Sequence, residues 1–256
     1  RPPPLPLPPM NSLPFGPTDL HVSALSLGCM RMGGLPSPAD AVPVLEAALE
    51  SGITFFDHAD IYGGGEGEIR FARAMRELGV DRESVVLQSK CGIVRGQYFD
   101  FSRDHIVSSV EAILKRLDTG YIDALRLHRP AALMEPEEIA TAFEELHTAG
   151  KVRHFGVSNQ NPAQMELLRR HLNRPLVANQ VQFGLGHTPL IDHGLNVNMA
   201  DNPAVDRDGG ILDYCRLHRI TVQAWSPLQH AFFQGPIVGH PDYAECNEVL
   251  DRIAEE

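Results

Sequence analysis

The sequence predicts a parallel (β/α) barrel, and two observations carry that expectation. Short apolar runs alternate with amphipathic segments from Ala24 onward. Several of those runs are nearly continuous in apolar residues, as strands buried on both faces are. Repeated strand–helix units imply parallel strands, and 256 residues suit one barrel as a single domain. The expected domain is 11–256, preceded by a proline-rich tail over 1–10. A doubly wound open sheet is the alternative.

Each element has its own local reason. Asn11–Val22 is expected to form a small hairpin around Pro17-Thr18-Asp19 that closes the barrel floor. The first unit pairs a strand over Ala24–Cys29 with a helix over Asp40–Glu50. Ile53–Asp57 and Glu66–Leu78 make the second, Ser84–Lys90 and Arg103–Leu117 the third. In that third helix Ile106, Val110, Ile113, Leu114 and Leu117 share one face, and Ser102 stands at the N-cap. Ile122–His128 precedes a helix over Pro136–Ala149, whose stripe is Ile139, Phe143 and Leu146 and whose stop signal is Gly150. His154–Ser158 precedes Pro162–Leu172, capped by Asn161 with proline at the first helical position. Leu176–Gln182 leads into a long segment, Phe183–Asp208, expected as a mobile lid, and then a helix over Gly210–His218. Ile220–Trp225 and Tyr243–Glu255 are the seventh unit. A closed barrel of this type has eight strands. The expected fold is therefore a (β/α)8 TIM barrel whose eighth strand and helix are absent from the given chain. Residues beyond Glu256, a natural truncation, or a homo-oligomer that covers the open edges would each account for the count.

Composition removes several classes of function. A net charge of −11 argues against nucleic acid as the main partner. No apolar run reaches the roughly 18 residues of a membrane span. The first nine residues, rich in proline, lack the apolar core of a secretory signal; they read as an extended tail ahead of Met10, with a PxxP ligand as the sharper alternative. Cys29, Cys91, Cys215 and Cys246 lie far apart with no C-x-x-C pair, so they read as reduced thiols of a cytoplasmic protein.

In barrels, catalytic groups gather at the C-terminal ends of the strands. The second strand ends at Asp57, with Tyr62 just beyond; the third ends at Lys90 and the fourth at His128. The fifth ends Ser158-Asn159, the sixth carries Asn179-Gln180, and the seventh ends Trp225-Ser226. A tyrosine hydroxyl is a weak acid at neutral pH. A lysine ammonium about 4 Å away offers roughly 4 kcal/mol at an effective dielectric near 20, enough to move the phenol pKa by about three. A carboxylate such as Asp57 would keep that lysine charged. With a histidine to orient a carbonyl oxygen, the set suits proton donation to a carbonyl while hydride arrives from a cofactor. Two rival readings are a Schiff base on Lys90 and a metal held by His58, Asp60 and His128. The expectation is no metal. His58, His105 and His154 otherwise read as packing or surface residues. The run from Tyr62 to Glu68 fits neither G-x-G-x-x-G nor G-K-[ST], and reads as a loop that places Tyr62 ahead of a helix.

Asp57-His58-Ala59-Asp60-Ile61-Tyr62-Gly63 resembles the D-x-A-x-x-Y-G signature of the aldo-keto reductases. The run Gly150-Lys151-Val152-Arg153-His154-Phe155-Gly156-Val157-Ser158-Asn159 resembles their G-K-V-R-x-x-G-V-S-N stretch. Ser89-Lys90-Cys91-Gly92 and Leu127-His128-Arg129-Pro130 are similar to the matching strand ends of a bacterial subgroup of predicted oxidoreductases. The likeness runs from about Leu25 to Leu228. It implies an NADP(H)-dependent carbonyl reductase with Tyr62 as general acid. Lys90 would lower the Tyr62 pKa, Asp57 would pair with Lys90, and His128 would position the substrate carbonyl. Ser158, Asn159 and Gln180 would hold the nicotinamide carboxamide, Trp225 would stack on the ring, and Ser226 and Leu228 would lie along the pyrophosphate. NADPH is the cofactor expected from family habit, with NADH the alternative. A non-catalytic relative serving as a binding or regulatory subunit is the second reading.

Overall fold

In the computed structural model, residues 10–231 and 234–255 are described. The proline-rich tail expected over the first ten residues lies outside them except for Met10. Seven parallel strands form one sheet, paired strictly in chain order. They are β1 (Ser26–Gly28), β2 (Phe55–Asp57), β3 (Val86–Cys91), β4 (Ile122–Leu127), β5 (Val152–Ser158), β6 (Leu176–Gln182) and β7 (Thr221–Trp225). Consecutive order excludes the doubly wound alternative, in which the order reverses. Among the described residues no eighth strand joins the sheet, and β1 and β7 are its edges.

The helices stand where the apolar periodicity placed them, with ends shifted by a few residues. They are α1 (Ala41–Glu50), α2 (Glu66–Glu77), α3 (Arg103–Leu117), α4 (Pro136–Thr148), α5 (Pro162–Arg169), α6 (Pro189–Leu195), α7 (Ile211–Leu217) and α8 (Ala244–Glu255). The five apolar residues of the α3 stripe are the five it buries, and the Ser102 side chain accepts from the His105 amide. Asn161 and Gln164 cap α5 reciprocally, satisfying two backbone donors that would otherwise be bare. Gly150 ends α4 at φ 71° and donates its amide to the His147 carbonyl. The segment expected as a bare lid instead carries α6 and a short 3₁₀ turn over Asn202–Ala204. Thr188-Pro189 and Asn202-Pro203 start those turns, a signal outweighed in the sequence by the segment's polar content.

The barrel floor is built as expected. Ser12–Pro14 pairs antiparallel with His21–Ser23. The hairpin inserts Phe15 against Phe55, ring centroids 5.5 Å apart and edge-on. Phe15, Val22, Phe55, Val86, Ala124, Val177 and Ala178 form a buried apolar layer there. A larger apolar layer lies between the strands and the helices, where Phe143 of α4 stacks on Phe155 of β5 at 4.0 Å. All four cysteines are free thiols. Among the described residues, no helix is long and apolar enough to cross a membrane.

Candidate active site

Side chains of a strand alternate faces, so residues two apart share the barrel interior. Stepping up from the floor, β2 presents Phe55 then Asp57, β3 presents Val86, Gln88 then Lys90, and β4 presents Ala124 then Arg126, with His128 next. Phe56, Leu87, Leu125 and Leu127 point the other way, into the layer under the helices. The strand register sets Asp57 beside Gln88 and Lys90 beside Arg126. Beyond β2 the chain stays locked to β3, with the His58 amide on the Gln88 carbonyl at 2.9 Å and the Asp60 amide on the Lys90 carbonyl at 3.0 Å. A tight turn over Tyr62–Gly65 then feeds α2, and it needs its glycines. Gly65 has φ 93°, and a Cβ there would lie 2.6 Å from the Arg116 side chain.

Four of the expected residues meet. The Lys90 ammonium donates to Asp57 Oδ2 at 2.7 Å, to the His58 carbonyl at 2.8 Å and to the Tyr62 hydroxyl at 3.1 Å. The Tyr62 and His128 rings lie edge-on with centroids 5.9 Å apart. An ammonium has three protons, and all three are engaged. Lys90 is also fully buried, which leaves no free amine for a Schiff base. His58, Asp60 and His128 do not bring three donor atoms together. Among the described residues, the one trio of such side chains whose donor atoms come together is His193, Asp206 and Asp208, away from His58, Asp60 and His128. His58 is a packing residue, edge-on to Phe71 at 4.6 Å.

The electrostatics correct one expectation. Burial pushes the Tyr62 phenol up, Asp57 adds to the push, and Arg126 opposes it. Burial therefore outweighs the neighbouring cations, and the resting hydroxyl is held more firmly protonated than a free phenol. Burial is the main cause, and Asp57, paired with the Lys90 ammonium at 2.7 Å, adds to it. Burial pulls Lys90 down to about 8, with Asp57 resisting and Arg126 reinforcing. Burial also works against the Asp57 carboxylate, yet Lys90 and Arg126 outweigh it and hold the group below its ordinary range. His128 is pulled down to about 3 by burial and by Lys90, so its ring is neutral at pH 7.

The residues expected at the cofactor line the neighbouring strand ends. Ser158 and Gln180 are register partners on β5 and β6, and both are buried. Ser158 Oγ, buried, has no hydrogen-bond partner. The Trp225 indole N–H donates to Asn159 Oδ1 at 3.1 Å. Asn159 and Ser226 hold φ of 56° and 51°, a region that non-glycine residues enter at a cost and that collects at functional sites. Leu228 is half-exposed on the rim. A Gln180 side-chain hydrogen bond also helps to hold the Asp57 carboxylate ionised.

Three site residues were missed in the sequence, Arg126, Gln88 and Gln223. Arg126 is fully buried and binds Asp57 Oδ1 through one arm and the Gln223 amide oxygen through the other. Gln88 donates to Asp57 Oδ1 at 2.9 Å. Gln88 and Arg126 stand in the strand-end runs Gln88-Ser89-Lys90 and Arg126-Leu127-His128, where residue type alone gave them no role. Counting back two from Lys90, His128 and Trp225 finds all three.

Comparisons with known proteins give the family. A profile of the Aldo/keto reductase family matches residues 24–256, beyond the stretch whose motifs were legible. The chain is 39% identical over 220 residues to the uncharacterized oxidoreductase YcsN of Bacillus subtilis, covering 82% of this chain and 68% of that protein. It is 40% identical over 200 residues to the oxidoreductase YdhF of Escherichia coli, covering 75% and 61%. It is 33% identical to a 6-dehydroglucose reductase of Agrobacterium fabrum, covering 93% and 76%. Thus the chain spans only about two thirds of the first two relatives. Among solved structures, the thermostable aldo-keto reductase Tm1743 superposes with a TM-score of 0.73 at 27% identity, covering 96% of this chain and 80% of that one.

Proposed function

The chain belongs to the aldo/keto reductase family, and on that premise we propose that it reduces aldehydes or ketones to alcohols with NADPH. The observation that carries the reading is the Lys90 ammonium fixed between Asp57 Oδ2 and the Tyr62 hydroxyl, with the neutral His128 ring beside it. The nicotinamide cofactor fits the neighbouring strand ends: buried Ser158 Oγ has no partner, as a carboxamide-binding group awaiting its ligand would not. Ser158, Asn159 and Gln180 would hold the carboxamide, Trp225 the ring, and Ser226 and Leu228 the pyrophosphate. When bound, the cofactor supplies a hydride for the carbonyl carbon.

The rest of the chemistry belongs to the protein. Neutral His128 donates an N–H to the carbonyl oxygen and orients it. As negative charge builds on that oxygen, Tyr62 gives up its hydroxyl proton, forming the O–H bond of the alcohol. A phenol held protonated at rest is always loaded for this step, and an alkoxide is a far stronger base than a phenolate. Lys90 stabilises the phenolate at the moment it forms, and water returns the proton afterwards.

The chain has one tryptophan, Trp225, which would report on the proposed cofactor site. Its fluorescence should be quenched saturably by NADPH, and by NADH at higher concentration, in parallel titrations. A panel of aldehydes then tests turnover. If neither nucleotide quenches and no aldehyde is reduced, the reductase reading fails and the binding-subunit reading takes its place.

A further inference from the structure

We propose that Arg126 is a positioning residue of this site: it claims Oδ1 of Asp57, so that Lys90 keeps Oδ2 and aims a remaining proton at Tyr62, and it leaves the buried cluster one positive charge in excess where the phenolate forms. The proposal deepens the reductase reading and rests on it.

The geometry has several independent parts. Arg126 is fully buried and ranks among the bulkiest fully buried side chains of the described residues. A buried guanidinium is retained only where its charge is met. Here Asp57 meets it on one arm and Gln223 on the other, while Nε has no partner. Room for the stem comes from the next strand. Gly156 is the register partner of Arg126, and a Cβ there would lie 3.2 Å from Arg126 Cγ and 2.6 Å from the Ala178 carbonyl oxygen. Asp57 is therefore shared, with Lys90 on Oδ2 and Arg126 and Gln88 on Oδ1.

Sharing decides the charge. Asp57 with Lys90 alone sums to zero, and an uncharged pair gives a developing phenolate little stabilisation. With Arg126 the sum is one positive charge, which the phenolate brings to zero. In a dry interior that difference is amplified. Arg126 opposes the rise of the Tyr62 phenol and presses Lys90 toward losing its proton, both as a nearby cation must. The other groups facing Lys90 are Cys29 from the segment after β1, His58 and Asp60 from the loop after β2, Glu68 from α2 and His128 after β4. None of them shares the Asp57 carboxylate with it.

The test follows Lys90 directly. Lys90, Lys115 and Lys151 are the lysines of the chain, so side-chain carbon NMR of labelled lysine gives a readable spectrum, with Lys90 identified by its loss in Lys90→Met. The wild-type Lys90 midpoint is expected at about 8. In Arg126→Met it should rise toward the ordinary lysine range, and in Arg126→Lys it should stay low. Arg126→Gln, which keeps hydrogen-bonding capacity without charge, repeats the test should Arg126→Met fail to fold. In turnover, loss of the charge should lower kcat by about tenfold to a hundredfold with KM little changed, and should move the alkaline limb of kcat upward with the Lys90 midpoint. Arg126→Lys should recover most of kcat. A Lys90 midpoint that does not move in Arg126→Gln overturns the proposal, whatever the activity. So does a KM rise with kcat and its pH limb unchanged. A wild-type chain that reduces no carbonyl defeats the reductase reading instead, while the midpoint still decides whether Arg126 governs Lys90.

Discussion

The floor and the mouth of the barrel are built by the same strands and differ by two residues. Phe55, Val86, Ala124 and Ala178 seal the floor. Asp57, Gln88, Arg126 and Gln180, each two positions on, are buried polar groups of the mouth. Two residues along a strand is a rise of about 6.6 Å. Over that distance the interior passes from a layer held by apolar contact to one held by charge. The floor is satisfied within the chain, with Phe15 packed on Phe55. The mouth is not, since Ser158 Oγ, Arg126 Nε and His128 Nδ1 have no partners. A satisfied layer gives stability. Buried polar atoms without partners beside clustered charges are features that collect at functional sites.

Substitutions should separate the two layers. The largest effect is expected at Tyr62→Phe, which removes the proton donor and keeps the ring. Carbonyl turnover should fall by about 10²- to 10⁴-fold with the unfolding midpoint within error of wild type. Retained turnover would remove Tyr62 from the role assigned to it. Next comes Phe15→Ala in the floor, expected to lower unfolding stability by about 3–5 kcal/mol in denaturant titration. Below that transition kcat and the Lys90 midpoint should be unchanged; a shifted midpoint would mean that the layers are coupled. Third is pH. The working form of Lys90 is the cation, so kcat should decline as pH rises through about 8. Asp60, lifted to about 7 by burial and Glu68, ionises just below this range. Asp60→Asn removes that contribution and should leave the Lys90 limb in place. A limb that vanishes in Asp60→Asn assigns it to Asp60.

The difference between the layers also explains what was legible. Elements were readable because their causes are local: the α3 stripe, the Ser102 cap and the Asn161-Pro162 start are spacings within a few residues. The floor hairpin was readable for the same reason. That Tyr62, Lys90, Asp57 and His128 lie together was readable because a barrel gathers strand ends at one mouth. Arg126 was not found, since an arginine inside an apolar run reads as an exception rather than a site. Its meaning depends on Asp57, which is 69 positions away in the chain. The direction of the Tyr62 shift was missed for a like reason. The Tyr62–Lys90 pair leaves out the burial that dominates the shift, and Asp57, expected to keep the lysine charged, also pushes the phenol up.

The smallest expected effect sharpens the comparison most, because it has opposite signs in the free and the bound protein. Ser158 Oγ is buried beside Gln180 with no partner, so it burdens the unliganded fold instead of supporting it. Ser158→Ala should leave unfolding stability unchanged or raise it by under about 1 kcal/mol, where truncating a floor residue costs several. If Ser158 holds the nicotinamide carboxamide, the same change should weaken NADPH binding by about threefold to tenfold, one hydrogen bond's worth. Both are measured on one preparation, by denaturant titration and by Trp225 quenching. A variant that loses stability and binds NADPH as tightly as wild type would place Ser158 with the floor: a structural residue, paired in solution with a buried water, and no part of the cofactor site.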